Sequence, residues 1–383
     1  MEEFISFSKN KNHFSILDDA FRLIKKKKFV VVKENDNFSE LPEKGIIYWK
    51  NQALLAFKKG DMNSSVVFVA KCNSPELFIS NLSMELEKTS KISVFSKLGQ
   101  VNFAKWMNRD LKLVGNVVLQ GEENIFHRFD SVKPVCIIQN QHKPNDKEYE
   151  VIFSISERQT LRNFIAKSMS IEPERIVTAT LFFVDIEETQ SYGPNSEFIT
   201  GNMQAATSCY TAMKAFLECS SNDSMSFLVI MSDQWNMNGS QTNNIFTTFI
   251  NNLLPNPNDS IPFLSRSILM CVQGFDALNP NMNTDTSLMP RIGGGVVVGS
   301  TYSNCLNPDS FKAIDRANKV GLNLQLVNID PLQISFGSPF SLIGIPCIDI
   351  GFPVLSMNSF KEMVCWRDIQ DGIRLFKELY QNV

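Results

Sequence analysis

Histidine is scarce in this chain. The 383 residues include three histidines, His13, His127 and His142. Imidazole is the most common metal ligand in proteins and the side chain that titrates nearest to neutral pH. His13 precedes a predicted helix with an N-cap at Ser15, a position that favours solvent exposure or a local hydrogen bond over metal binding. The sequence therefore offers little material for a zinc site built on histidine.

Long apolar runs and paired cysteines are also absent. No apolar run approaches the roughly 20 residues of a membrane helix, so no membrane span is predicted. The first seven residues contain two acids and no long apolar core, which does not resemble a secretory signal. The eight cysteines form no Cys-x-x-Cys pairs, and Cys136, Cys271 and Cys347 lie in apolar runs. This usage predicts reduced, buried thiols and a cytoplasmic location.

Charge of either sign is not in large excess. The 37 basic and 40 acidic residues give a net charge of −3, which does not indicate a nucleic acid or an anionic membrane as a partner. The run Lys25–Lys28 follows an amphipathic helical pattern. Cations suit the negative end of the helix dipole, so these lysines are predicted to occupy a helix C-terminus.

Strands and helices alternate over most of the chain. Val66–Ala70 is a continuous apolar run typical of a strand buried on both faces, and Asn73 and Pro75 end it. Further strands are predicted at Ser226–Met231, Ile268–Val272 and Pro346–Ile350, with helices between them, including Met203–Cys219 and Trp366–Tyr380. This alternation predicts an α/β fold, a doubly wound mixed sheet flanked by helices. Ligands of such sheets gather at the carboxyl ends of the strands.

A middle segment has a different pattern. Between about Leu77 and Ser170, short strand-like pieces lie between polar turns. We expect an inserted, smaller β-rich domain at residues 79–172, between two parts of the α/β domain at 1–78 and 173–383.

Two stretches carry a family resemblance. Ala70-Lys71-Cys72-Asn73-Ser74-Pro75 is similar to Ala-His-Thr-Asp-Ser-Pro, and Trp106-Met-Asn-Arg-Asp-Leu-Lys-Leu-Val-Gly115 to Trp-Phe-Asp-Arg-Asp-Leu-x-Leu-Ala-Gly. Both motifs, in this order, occur in the aspartyl aminopeptidases, which are dinuclear zinc exopeptidases. The resemblance covers nearly the whole chain and implies their fold, a dimer contact through the inserted domain and assembly into a homododecamer.

The resemblance also locates the positions where the family binds zinc. Lys71 stands at the position of a zinc-binding histidine, and Asn73 at that of the aspartate that supports the site. Alignment of the remaining motifs places Gln204 (or Asn202 with a small gap) at the bridging aspartate, Trp235 at the catalytic base, and Asn236, Gln273 and Asn358 at further ligands. An ammonium repels a metal, amides are poor zinc ligands, and tryptophan accepts no proton.

These substitutions predict a catalytically inactive relative, or pseudoenzyme, with no metal cofactor. We expect it to act as a structural or binding subunit in a homo-oligomer or a larger protein assembly. Two alternatives stay open: a peptide-binding protein that keeps the old cleft, and an enzyme of altered chemistry using Asp233, Asp276 or Cys72. The run Gly293–Gly295 lacks the Gly-Lys-Ser/Thr ending of a phosphate loop and is predicted to be a turn entering a strand.

Overall fold

The structure is a computed structural model that describes residues 1–9, 12–33, 41–49, 53–73, 77–79, 91–95, 106–121, 126–139, 148–156, 159–220, 224–231, 249–250, 253–254, 259–281, 289–300, 308–328 and 344–382. Its helices are α1 (Glu2–Ser8), α2 (His13–Lys26), α3 (Leu161–Met169), α4 (Met203–Glu218), α5 (Ser260–Arg266), α6 (Pro308–Lys319) and α7 (Trp366–Asn382). None of the helices in this part of the chain is long and apolar enough to cross a membrane.

The strands follow the predicted order. They are β1 (Val30–Val31), β2 (Lys44–Trp49), β3 (Ala53–Lys58), β4 (Asp61–Lys71), β5 (Leu77–Ile79), β6 (Lys91–Phe95), β7 (Asp110–Leu119), β8 (Phe126–Asp130), β9 (Cys136–Ile137), β10 (Glu148–Ile152), β11 (Ile176–Asp185), β12 (Gln190–Tyr192), β13 (Phe198–Gly201), β14 (Ser224–Met231), β15 (Ile268–Asp276), β16 (Val296–Ser300), β17 (Leu324–Asn328), β18 (Cys347–Val354) and β19 (Glu362–Cys365).

The largest sheet confirms the predicted α/β fold class. Within the described residues it has nine strands in the order β1-β2-β3-β14-β4-β15-β18-β16-β17. Its centre, β14-β4-β15-β18, is parallel, whereas β3 and β16 pair antiparallel with their neighbours β14 and β18. Strands β12, β13 and β19 form a smaller sheet beside it in sequence order β12-β13-β19. The sheet is therefore mixed, with a parallel core.

Alternate residues of the central strands face two separate cores. In β14, Leu228 and Ile230 pack with helices α1, α2, α4 and α7, whereas Phe227 and Val229 pack on the other face with α5. Apolar residues at every position are needed because both faces are covered. This is the physical reason why the parallel strands appear in the sequence as continuous apolar runs.

The chain divides into two compact units. Unit 1 comprises residues 1–73, 189–357 and 361–383, and unit 2 comprises residues 74–188 and 358–360. In unit 2 a seven-stranded sheet runs β10-β6-β5-β11-β7-β8, with β9 also paired to β7. Unit 2 has its own core, which includes Trp106, Leu113 and Phe183. Strand β11, at Ile176–Asp185, pairs with β5 and β7, so it belongs to this sheet and not to the large one.

One helix start differs from the sequence prediction. Helix α2 begins at His13, and its N-cap is Asn12 rather than Ser15. The Asn12 side-chain oxygen accepts the Ser15 backbone N–H at 2.9 Å, which satisfies a donor of the first turn. Ser15 is therefore the residue that is capped. His13 is buried at this helix start.

Candidate active-site edge of the large sheet

Lys71 and Gln273 stand level at the carboxyl edge of the parallel strands. Ala70 in β4 pairs with Val272 in β15, and the next residue of each strand is Lys71 and Gln273. Side chains alternate along a strand, so both residues leave the sheet on the face of Val69 and Cys271, which share one core. The structure thus brings together a cation and an amide at the two central positions that the sequence identified. Both side chains are half-buried.

The Gln273 amide contacts a buried carboxylate. Its Nε2 donates to Asp349 Oδ1 at 3.3 Å, and Asp349 is fully buried in β18. Gly351, opposite Gln273 in the ladder, has no room for a side chain, because a Cβ there would lie 1.7 Å from the Gln273 carbonyl oxygen. The close approach of β15 and β18 therefore requires glycine at 351. It fixes the backbone from which Gln273 reaches Asp349.

A second buried carboxylate holds Gln204 at the start of helix α4. The Gln204 backbone N–H donates to Glu362 Oε2 at 2.7 Å, and Glu362 is fully buried. Helix N-terminal N–H groups lack partners within the helix, and a carboxylate there also suits the helix dipole. The Gln204 side chain donates from Nε2 to the Met357 sulfur at 3.5 Å. Gly274 makes room for it, since a Cβ there would lie 2.8 Å from Gln204 Cγ.

The remaining predicted positions are placed less closely. Asn73 follows the end of β4 by two residues and is half-buried. Asn358 lies in the turn before β19, in the left-handed backbone region with φ 61°, and is assigned to unit 2. Asn202 immediately precedes α4 and is buried. Trp235, Asn236 and the alternative candidate Asp233 lie outside the described residues.

The thiols near this edge are suited to packing rather than to nucleophilic chemistry. Cys72 is fully buried, and its backbone N–H donates to the Met231 carbonyl at 2.9 Å. Cys209 of α4 donates from Sγ to the Lys71 carbonyl oxygen at 3.5 Å, and burial raises the pKa of the Cys209 thiol well above its usual value. A neutral thiol is a poor nucleophile. Asp276, the other candidate, is exposed at the end of β15.

Asp349 and Glu362 are the site residues that sequence reasoning missed as partners of the amides. Both are fully buried carboxylates. The signal for Asp349 is a single acid inside the apolar strand Cys-Ile-Asp-Ile-Gly, since an acid is rarely buried without a polar partner. Glu362 offers a weaker signal, because its neighbours do not form a continuous apolar run.

A mixed sheet covered by helices on both faces, with a β-rich unit that follows the strand ending at Lys71, is an aminopeptidase architecture. The M18-family aminopeptidase of Thermotoga maritima aligns with a TM-score of 0.83 at 16% identity, covering 100% of this chain and 96% of that one. A dodecamer of S. cerevisiae mApe1 also gives 0.83, at 18% identity, covering 99% and 95%. These likenesses establish the class of fold.

Sequence comparison assigns the family. Residues 4–142 and 126–380 match the family described as aminopeptidase I zinc metalloprotease (M18). A Caenorhabditis elegans protein named aspartyl aminopeptidase is 24% identical over 426 aligned positions, which cover 90% of this chain and 89% of that protein. The chain belongs to the M18 aminopeptidase family, and the predicted resemblance is confirmed.

Family membership corrects one prediction. We expected no metal cofactor, from the residues at the ligand positions. The match to a zinc metalloprotease family contradicts that expectation, because zinc is the cofactor that the family implies. The substitutions at single positions were given too much weight against the chain-long match.

The donor set that the structure describes does not fit a dinuclear zinc centre of the implied kind. Lys71 brings a positive charge, and Asn73, Gln204, Gln273 and Asn358 bring amides, in place of imidazoles and carboxylates. Two of these amides already donate hydrogen bonds, to Asp349 and to Met357. Within the described ranges, no group of three or more His, Cys, Asp or Glu side chains is placed to hold a metal. No catalytic step is therefore derived through zinc here.

Proposed function

We propose that this M18-family chain is a structural or binding subunit of a homo-oligomer and does not hydrolyse peptides at the family's site. The observation that carries this proposal is the pair Lys71 and Gln273, level at the carboxyl edge, with the Gln273 amide donating to Asp349. Activation of water for peptide hydrolysis needs a Lewis acid or a base with a lone pair. An ammonium and a hydrogen-bonded amide supply neither.

Assembly is the second part of the proposal. One solved relative is a dodecamer of S. cerevisiae mApe1. Unit 2 of this chain carries exposed aliphatic side chains, among them Val132 at 78%, Ile152 at 61%, Ile155 at 99% and Val177 at 57% exposure. Apolar side chains concentrated on one unit favour burial against another subunit. We assign the subunit contact to unit 2, in agreement with the predicted inserted domain, and the location to the cytoplasm.

A second candidate function is the family's own activity. The family match and the similarity to a protein named aspartyl aminopeptidase favour a zinc-dependent aminopeptidase. The two candidates differ in turnover and not in fold, so an activity assay separates them.

The decisive experiment measures hydrolysis of peptides that start with Asp or Glu, in the presence of added zinc, by purified protein whose mass is determined by light scattering. We expect an oligomer without turnover above the protein-free rate. A matched variant restores the family's residues through Lys71→His, Gln204→Asp, Trp235→Glu, Asn236→Glu, Gln273→Asp and Asn358→His. Zinc-dependent turnover by the variant alone supports the proposal. Chelator-sensitive turnover by the unmodified protein contradicts it and establishes the aminopeptidase.

A further inference from the structure

Helices α1 and α2 enclose a recess on the surface of unit 1. Its volume is about 280 Å³, and its lining includes Phe7 and Leu23 at the apolar part and Glu3, Asp19, Arg22 and Lys26 at the polar part. Phe7 is 4% exposed, and Leu23 is half-buried. A recess of this size accepts one or two side chains of a partner rather than a whole cofactor.

The acids of the recess are already neutralised by the chain itself. Glu3 Oε2 forms an ion pair with Lys214 Nζ at 2.7 Å, and this hydrogen-bonded contact lowers the pKa of Glu3. Asp19 forms an ion pair with Arg22, its neighbour one turn further along α2. Neither carboxylate therefore needs a cation from outside.

The cations at the end of α2 are in surplus. Lys25, Lys26, Lys27 and Lys28 are all exposed, and none of them forms an ion pair within the part of the chain that the structure describes. Lys27 is close enough to Glu3 to contribute to its lowered pKa, so the run adjoins the recess. The final turn of α2 is also capped through the main chain, with Lys27 N–H donating to the Ile24 carbonyl. Helix capping alone does not account for four consecutive lysines.

We infer that the recess between α1 and α2 and the adjoining Lys25–Lys28 form a docking surface for an acidic peptide segment of a partner protein. An apolar side chain of the segment occupies the space beside Phe7 and Leu23, and acidic side chains flanking it pair with the lysines. This surface belongs to unit 1 and does not depend on whether the family's site hydrolyses peptides.

The shape and charge of the recess favour a peptide over other anions. A bilayer or a phosphodiester backbone presents closely spaced negative charge, which Glu3 and Asp19 would repel at the recess. A peptide can place its acids over the lysines and an apolar side chain over the carboxylate pairs. Concave apolar ground with a charged rim is the usual anatomy of a peptide-recognition site.

The test uses the full chain and a fluorescein-labelled peptide, Glu-Glu-Asp-Leu-Phe-Glu-Asp-Glu, followed by anisotropy. We expect saturable binding that weakens as salt is raised, since exposed charges are screened. The double substitution Lys26→Glu with Lys27→Glu is expected to weaken binding at least tenfold, about 1.4 kcal/mol. Leu23→Ser is expected to weaken it without changing the salt dependence, which separates the recess from the lysines.

The matched control is Arg316→Glu with Lys319→Glu, at the end of α6. It changes the net charge by the same amount and also removes two cations from the last turn of a helix. We expect this variant to bind the peptide within twofold of the unmodified protein. Circular dichroism of each variant verifies that the fold is retained.

Four outcomes overturn the inference. They are no binding of the labelled peptide, equal loss in the α6 control, equal binding of a peptide with Lys at every acidic position, and tighter binding of phosphatidylserine vesicles or duplex DNA than of the peptide. The first would assign the lysines to solvation of a helix end. Each of these results is distinguishable from the peptidase assay, which reads turnover.

Discussion

Asp368 is a buried carboxylate that fixes the glycine turn before β16. Its Oδ2 and Oδ1 accept the backbone N–H groups of Gly293 and Gly295 at 2.8 and 2.9 Å. Gly293 and Gly295 have φ of 81° and 95°, backbone that other residues rarely adopt. The prediction that this glycine run is a turn entering a strand is met here, and the buried acid that holds it could not be located from the sequence.

The Asp368→Asn variant is predicted to change how stability depends on pH. Burial raises the pKa of Asp368 from 3.8 to about 6, with Asp371 raising it slightly and Arg367 opposing. The folded state therefore holds its proton more tightly than the unfolded chain, so this group's contribution is full below pH 3.8 and is lost as pH rises through about 6. The loss amounts to at most about 3 kcal/mol, at about 1.4 kcal/mol per unit.

Urea titrations between pH 4 and pH 7 measure this effect. The free energy of unfolding of the unmodified protein is expected to fall relative to that of Asp368→Asn across the interval. Asp315→Asn, which changes an exposed carboxyl on α6, is the control and is expected to leave the pH profile unchanged. Parallel profiles for the unmodified protein and Asp368→Asn would refute the assignment.

At the scale of elements, helix α4 is held at both ends by residues distant in sequence. Glu362 accepts the N–H of Gln204 at its start. At its end, Lys58 of β3 is 3% exposed and donates from Nζ to the carbonyl oxygens of Phe216 and Cys219, the latter at 2.8 Å. Burial lowers the pKa of Lys58, while contact with Cys219 opposes the shift. Helix α4 thus sets where Gln204 stands at the site.

Replacement of Lys58 by Met is predicted to lower the free energy of unfolding by about 2 kcal/mol. Two carbonyl groups at the helix end would lose their donor, and each buried unsatisfied group costs about 1–3 kcal/mol. Removal of a buried ammonium offsets part of this loss. Urea unfolding measures the change, and Lys59→Met, at the half-buried neighbouring position, is expected to stay within about 0.5 kcal/mol. Equal effects of the two variants would exclude the capping role.

Periodicity located the elements better than it located their ends. Helix α4 was predicted at Met203–Cys219 and ends at Glu218, because its apolar spacing is continuous. Strand β15 was predicted to stop at Val272, yet it continues to Asp276, because Gln273 and Gly274 pair with Gly351 and Phe352 of β18. A glutamine followed by glycine resembles a strand end, and only the ladder shows otherwise. Asp349 lies 76 residues from Gln273 and Glu362 lies 158 from Gln204, so local patterns carry no trace of these contacts.

For the whole molecule, the sequence indicated two folding units but not which sheet each strand joins. The predicted insert spans 79–172, whereas unit 2 spans 74–188 and 358–360. The difference arises mainly from β11, an apolar strand that could pair in either sheet by its composition. Its nine-residue antiparallel register with β7, from Ile176 to Asp185, decides the matter. Long-range pairing, rather than propensity, assigned it.

The separate cores predict that damage to one unit stays in that unit. Leu113 of β7 and Leu228 of β14 are both fully buried, the first in the core of unit 2 and the second in unit 1. Truncation of a buried leucine to alanine costs about 2–5 kcal/mol. Amide hydrogen exchange reads the free energy of local opening along the chain. With Leu113→Ala, we expect faster exchange in β7, β8 and β11 and unchanged exchange in β4, β14 and β15.

Leu228→Ala is the matched variant, and it is expected to give the reverse pattern. The argument rests on the membership of the two cores, since every buried residue in the core around Trp106 lies in unit 2. A cavity removes contacts only from the side chains that surround it, and a cooperative unit opens as a whole. If Leu113→Ala instead accelerated exchange equally in all six strands, the chain would unfold as a single cooperative unit despite its two sheets.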